Sequence, residues 1–424
     1  MNKLLIGLIC LLALAQAGCE KDGFAYKLYE PTVDDVDSIY LSATDKMMIA
    51  DGQATLNFIV EAYRTVHLPS GKDSLEFIDY RKLPAGSLKI IEERSGTQVG
   101  LSYSTTTIPF DTVKFHAEIG SLKSATKPVA LRAKPADPAK LYVDVIFHVW
   151  ELNTTHPTYD VSSYQPVQYA QLQEGIRYMN SVISNKVGKS PNGANANIEF
   201  RLATKNQAGQ TLPEPGMNKV TYSDNVKVNP LATSFNISDF IAFINTNKAT
   251  LIWNPKQYLN IQVIPSGSNN SMGVAYPAKQ LAPQPGQQAI LGVAGTAANE
   301  DDFITDYANA CVGLPRTMLF PGLERKIELF RFVGMFYGLY TPVFTSARLY
   351  SDYCYDTRKF DGLDKRNSYS FAAKVGIDNE KYIADNAMDD SRYPTLLNSI
   401  TVDQVARMRS VMARCPGRMN TKNQ

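Results

Sequence analysis

Histidine and cysteine, the side chains best suited to acid–base and zinc chemistry near neutral pH, are few in this 424-residue sequence, and their spacing limits what they can do. There are four histidines, His67, His116, His148 and His156. No two stand four residues apart, so no helical turn can offer two imidazoles to one zinc ion. His148 ends an apolar run and reads as a core histidine bonded in place, whereas His156 falls in a polar loop. The pairs Asp352/Asp356 and Asp389/Asp390 could give calcium its oxygen ligands; as turn residues they would do no chemistry. Cys311, Cys354 and Cys415 lie outside the N-terminal leader. In an oxidising compartment two of them could pair, and Cys354 with Cys415 is the expected bridge because they flank a segment that must fold back. Three buried free thiols are the alternative.

The most telling stretch is residues 327–341, Ile-Glu-Leu-Phe-Arg-Phe-Val-Gly-Met-Phe-Tyr-Gly-Leu-Tyr-Thr. Ile327, Phe330, Gly334 and Tyr337 fall on one helical face, as core packing requires. Glu328 and Arg331 are three apart and suited to an ion pair. The segment resembles the zinc helix of metzincin peptidases, His-Glu-x-x-His-x-x-Gly-x-x-His, with its chemical groups exchanged. Gly338 keeps the bend. Arg331, Met335 and Thr341 stand where that motif has its three histidines, and Phe332 stands where it has the general base.

Other landmarks follow in the same order. Val143-Asp-Val-Ile-Phe-His-Val-Trp is similar to the opening strand of the pappalysin/cytophagalysin group, and Asn197-Ile-Glu-Phe-Arg-Leu to its second. Trp253-Asn-Pro-Lys-Gln-Tyr-Leu-Asn-Ile-Gln-Val is similar to a further strand signature. Gly273, Val274, Ala275 and Tyr276 resemble the strand that borders the substrate cleft. Asp352-Tyr-Cys-Tyr-Asp-Thr, the methionine turn at Met388 and the closing helix from Thr401 complete the series, with Arg358 where proline is usual. The resemblance, over residues 140–418, is to bacterial zinc-dependent metalloproteinase lipoproteins. It implies a metzincin-like α+β or α/β zincin domain.

What it implies for activity is negative. Arg331 would repel a dication, Phe332 cannot take a proton from water, and Met335 offers zinc only a soft thioether. Zinc is expected to be absent and the chain to be a pseudo-protease whose cleft still binds a peptide or protein, with Tyr337 and Tyr340 as aromatic contacts. One alternative is an active metal-dependent peptidase with a non-standard or displaced metal site. Another is a purely structural envelope component.

Asn2-Lys3, an apolar run over residues 4–15 and Gln16-Ala-Gly-Cys19 resemble a bacterial lipobox. This implies cleavage before Cys19, lipidation of that cysteine and residence in the cell envelope, at the outer membrane or cell surface. A net charge of +2 with dispersed Lys and Arg gives no support for a nucleic-acid partner.

The elements that must position these residues divide the chain into five parts. Residues 1–19 are the signal peptide and 20–37 a tether. Short period-two runs with Asp-Gly turns over 38–133 predict an all-β, immunoglobulin-like sandwich, a spacer above the membrane. Two prolines make 134–140 an extended linker. Over 141–424, strands alternate with helices, one of them at 166–184, and Thr401 caps the last helix.

Overall fold

The computed structural model describes residues 29–152, 154–155, 165–187, 190–222, 237–264, 274–300, 307–344, 351–390 and 393–422. The signal peptide, Cys19, His156 and Gly273 lie outside them.

The first unit is built from β1 (Ser38–Ala43), β2 (Met47–Ile49), β3 (Leu56–His67), β4 (Asp73–Ile78), β5 (Leu88–Glu92), β6 (Thr97–Val99), β7 (Ser102–Tyr103), β8 (Thr112–Ile119), β9 (Leu122–Lys123) and β10 (Lys127–Arg132). They form two sheets, β1-β3-β4 with β7 on β3, and β2-β10-β8-β5-β6 with β9 on β8. Alternation explains the pairing of faces. Leu56, Phe58, Val60 and Ala62 of β3 point inward and meet Phe115, Ala117 and Ile119 of β8 in one core. The rings of Phe58 and Phe115 touch edge-on at 4.8 Å across it. Sequence patterning missed β4, whose first five residues are all exposed. It is a sheet-end strand whose partner in the ladder is β3, so no core selects its residues.

The second unit opens with β11 (Leu141–Leu152), the central strand of a mixed sheet. Parallel to it run β12 (Ile198–Leu202) and β13 (Met217–Tyr222) on one side and β14 (Tyr258–Ile264) on the other. After a small parallel pair, β15 (Lys279–Leu281) and β16 (Gly295–Ala297), comes β17 (Cys311–Pro315), which extends the sheet beyond β14. Residues 421–422 return antiparallel to β11. Three helices cover one face: α1 (Tyr169–Ile183), α3 (Leu323–Phe336) and α4 (Val402–Arg414). Leu172, Ile176 and Met179 of α1, Phe330 and Val333 of α3 and Met408 of α4 share a core with Val143, Val145 and Phe147. Helix α2 (Ile237–Thr246) lies over the other face, where Phe240 meets Trp150 edge-on at 4.7 Å. The expected cap is present at Thr401, whose hydroxyl accepts from the Gln404 N–H while the Gln404 side chain accepts from the Thr401 N–H.

The two units are fastened together, which a spacer on a free linker would not require. Lys381 reaches Glu61 (2.5 Å), Lys127 reaches Glu380 (2.6 Å) and Arg132 reaches Asp356 (2.8 Å). The Ile49 N–H donates to the Pro191 carbonyl at 2.8 Å. The linker is itself tied down, with Asn197 donating to the Pro138 carbonyl and Arg409 to that of Ala139.

Candidate functional site

Helix α3 is held by its apolar face, with Leu329, Phe330, Val333 and Phe336 buried. Gly334 sits where the helix crosses Met388; a Cβ there would lie 2.9 Å from the methionine sulfur. At its end the chain turns through Gly338, whose φ of +84° suits glycine and whose added Cβ would lie 2.8 Å from Val411. The Gly338 and Leu339 N–H groups close the turn on the carbonyls of Met335 and Gly334.

These elements carry four half-buried side chains, Arg331, Phe332, Met335 and Thr341. Arg331 donates to Glu328 at 2.6 Å, the expected ion pair. Phe332 and Met335 pack against the core. The Thr341 hydroxyl accepts from the Val343 N–H at 3.2 Å. The resemblance would put zinc here, and these residues do not fit it. A guanidinium, a phenyl ring, a thioether and a hydroxyl engaged by backbone provide neither three good ligands nor a base. Among the described residues no three His, Cys, Asp or Glu side chains are placed to hold a metal ion.

Beneath the helix, Met388 is buried in a turn pinned by Asn386, whose side chain accepts from the Met388 N–H at 2.9 Å and donates to Gln404 at 2.7 Å. The next residue, Asp389, is also buried, and its Oδ1 has no hydrogen-bond partner. Burial holds its carboxyl well above the ordinary carboxylate range, the charge of Asp385 adds to this, and Lys374 and Arg331 oppose it. Arg331 thus lends a positive charge to a buried carboxyl beside the methionine turn.

Several expected features stand differently. Residues 274–276 form no strand: Val274 packs on the core, the Ala275 carbonyl accepts from Arg418 at 2.8 Å, and Tyr276 stacks on Tyr340 with ring centres 4.0 Å apart. The expected cleft edge has thus spent a backbone acceptor internally. Tyr337 is fully buried, its hydroxyl donating to Asn420 at 2.7 Å, so it cannot touch a ligand. Cys354 and Cys415 are not bridged. Both are free buried thiols, as is Cys311, and Cys415 packs in an apolar cluster with Ile290, Val293 and Val411. The acidic pairs are not converging cages either. Asp352 is met by Lys359 and the Thr357 hydroxyl, and Asp356 by Arg132, the Thr401 hydroxyl and the Asp403 N–H.

His148 is the core histidine expected, with partners that no periodicity could reveal. Asn218 donates to its Nδ1 at 2.9 Å, which leaves Nε2–H to donate to Asn260 Oδ1, also at 2.9 Å. Burial lowers its pKa to about 4. Next along β11, Trp150 donates to Gln262 at 2.7 Å, so β11 and β14 are locked by paired polar side chains.

No family model and no curated protein matches this chain. Among solved structures it is similar to mature mirolysin of Tannerella forsythia in complex with a cleaved peptide, at 20% identity and a TM-score of 0.46, over 67% of this chain and 96% of that one. It is also similar to mirolysin in complex with compound 9, at 18% identity and a TM-score of 0.43, over 65% and 92%. A Tannerella forsythia promirolysin mutant gives 20% identity and a TM-score of 0.40, over 68% and 84%. At such identities and TM-scores no residue role passes from those proteins to this one.

Proposed function

We propose that this chain is a non-catalytic, metzincin-like lipoprotein of the cell envelope that binds a peptide or protein. The observation that carries the reading is the side-chain set Arg331, Phe332, Met335 and Thr341 on the helix and turn where the motif resemblance puts three ligands and a base. A fixed cation at Arg331 opposes a bound dication, and Phe332 has no lone pair for a proton. The scaffold that would have served a metal is kept: Gly334 lies on Met388, and Gly338 makes the turn. The stacked Tyr276 and Tyr340, both half-buried, offer an aromatic surface beside that turn. Lipidation at Cys19 would hold the chain at the membrane, with the first unit, an immunoglobulin-like sandwich in this reading, docked on the second.

The test is elemental analysis of the purified full chain, run beside a casein assay with and without EDTA. The reading expects no stoichiometric zinc and no EDTA-sensitive cleavage. One zinc per chain together with chelator-abolished hydrolysis would overturn it in favour of a working peptidase. Saturable binding on a peptide array, weakened by Tyr340→Ala, supports the binding role; its complete absence removes that role. Mass spectrometry of the mature N-terminus decides the anchor.

A further inference from the structure

The β3–β4 hairpin runs on past the sandwich it belongs to. Strand β1 pairs with β3 only as far as Tyr63, while β4 follows β3 out to His67. Leu56, Phe58, Val60 and Ala62 of β3 and Ile78 of β4 enter the core, and no residue from 63 to 77 joins them. Every residue from His67 to Phe77 is exposed. A ribbon with no core to fill is expected to be polar. This one carries Leu68, 42% exposed, and Leu75 and Phe77, each 55% exposed. Cross-strand pairing sets Leu75 beside Thr65 and Phe77 beside Tyr63, on the face opposite to Ala62. The Phe77 and Tyr63 rings meet edge-on at 5.9 Å. At the tip the backbone closes on itself: the Leu68 N–H donates to the Lys72 carbonyl at 3.0 Å, and the Gly71 N–H to that of Leu68 at 2.9 Å. The acids of the ribbon are engaged, Glu76 by Arg64 at 2.6 Å and Asp73 by His67 at 2.7 Å, and Lys72 puts a cation at the tip.

The chain enters the first unit at this same end. The Asp37 N–H donates to the Tyr63 carbonyl at 2.9 Å, and its carboxylate accepts from the Thr65 N–H at 2.5 Å. The Arg64 guanidinium lies over the Tyr29 ring at 4.5 Å. Tyr29 follows Cys19 by ten residues. Even at full extension that length separates the two by no more than about 35 Å. Leu68 is four strand residues beyond Arg64, a further distance of about 13 Å. The exit to the second unit lies at the opposite end of the sandwich. Val33 packs against Gly120, just past the end of β8, whereas β10 leaves beside Thr112, where β8 begins. The seam between the two units, where Lys381 meets Glu61 and Arg132 meets Asp356, leaves the hairpin uncovered.

We propose that the β3–β4 hairpin is a membrane contact: Leu68 and Leu75 enter the acyl boundary of the lipid surface, Phe77 and Tyr63 lie level with the headgroups, and Lys72 meets the phosphates. The inference rests on the lipid anchor at Cys19 proposed above, and the tether decides the occupant. A chain held at Cys19 keeps the entry point of the first unit, and the bare ribbon beside it, within reach of the bilayer. Leu75 and Phe77 are about 7 Å apart along the strand, comparable with the depth to which interfacial segments enter. Aromatic rings favour the headgroup level, and a lysine can lay its stem on apolar surface with its ammonium at the phosphates. Three lipid chains need no help to stay in the bilayer, so what the hairpin adds is orientation. It stands the sandwich on its entry end and turns the exit to the second unit away from the membrane.

Tryptophan quenching tests this on the full mature chain. Cys19 is coupled to a maleimide lipid in vesicles of equal parts brominated phosphatidylcholine and phosphatidylglycerol; Cys311, Cys354 and Cys415 are buried. The coupling stands in for natural acylation, so mass spectrometry of the native N-terminus judges the anchor and quenching judges the hairpin. Trp150 and Trp253 are buried, and wild-type emission should not change. Leu68→Trp should lose about half of its added emission relative to unbrominated vesicles. Leu101→Trp should lose none: Leu101 is exposed too, but its carbonyl accepts from the Phe58 N–H, near the other end of β3. In the unmutated chain, exchange of the Leu68 and Gly71 amides should slow on coupling to vesicles. Absence of quenching at Leu68→Trp, or equal quenching at Leu101→Trp, overturns the contact. So does a blue shift of Leu68→Trp that grows with protein concentration without vesicles, which would give the hairpin to a second copy of the chain.

Discussion

The Cα of Gly334 lies against the sulfur of Met388, with room for a hydrogen and not for a methyl: a Cβ built there falls 2.9 Å from Sδ. The helix can approach the methionine turn this closely because one partner has no side chain and the other has a flexible one. Gly334→Ala should destabilise the protein by about 1–3 kcal/mol through overpacking, offset in part by the better helix propensity of alanine. Met388→Ala should cost about 2–5 kcal/mol as a core truncation. The double variant should lose clearly less than the sum, since the new methyl fills the space the thioether leaves. Urea denaturation of the four proteins checks this, and strict additivity would mean the two residues are not in contact.

His148 makes a pH prediction with a definite sign. Its folded pKa is about 4, below the ordinary 6.5, so the unfolded chain takes up a proton that the folded chain refuses. Stability from this site is complete above about pH 6.5 and is lost as pH falls toward 4, at about 1.4 kcal/mol per unit and about 3 kcal/mol in all. Asp45 and Asp385, which burial raises to about 7 and about 6, act in the opposite direction over part of that range, so the wild-type curve alone would mix the effects. The stability difference between wild type and His148→Gln should be constant above neutrality and shrink on acidification. A difference that stays constant down to pH 4 would mean that His148 titrates normally.

How much of this could be read from the chain depended on whether a residue's role is local. The core face of α1, the Thr401 cap and the inward residues of β3 follow from spacing alone, because a helix or strand repeats its own geometry. The inward face of helix α3 was legible for the same reason, whereas its closing turn at Gly338, with its positive φ, was expected from the motif resemblance. Strand β4 was not, since an exposed sheet end imposes no apolar pattern. The burial of Tyr337 could be read from its place on the core face with Ile327, Phe330 and Gly334, but its bond to Asn420, 83 residues away, could not. The seam was equally hidden: Glu61 and Lys381 are 320 residues apart, and neither stands in a distinctive sequence setting.

The cysteines give a direct chemical check. Burial pushes the Cys415 thiol up to about 11, and burial also raises those of Cys311 and Cys354. All three should resist Ellman's reagent in the native protein and react once it is unfolded, with no change in electrophoretic mobility on reduction. Only one reactive thiol among them after unfolding without reductant would reveal a bridge, and its identification as Cys311 would restore the pairing of Cys354 with Cys415.

If α3 and its turn are a zinc scaffold that lacks its ligands, the ligands can be put back. Arg331 and Met335 are one helical turn apart and both half-buried, and Gly338 directs the chain toward Thr341. Arg331→His/Met335→His/Thr341→His should therefore bind one zinc per chain, removable by EDTA and raising the melting temperature by mass action, whereas the wild-type chain binds none. Removing Arg331 also takes a cation away from Asp389, so the metal-free variant should be less stable than wild type and zinc should recover the loss. Adding Phe332→Glu supplies a base without adding a ligand and should leave the stoichiometry at one. A folded triple variant that binds no zinc at any accessible concentration would show that the three positions do not converge, and the scaffold reading would fail with it.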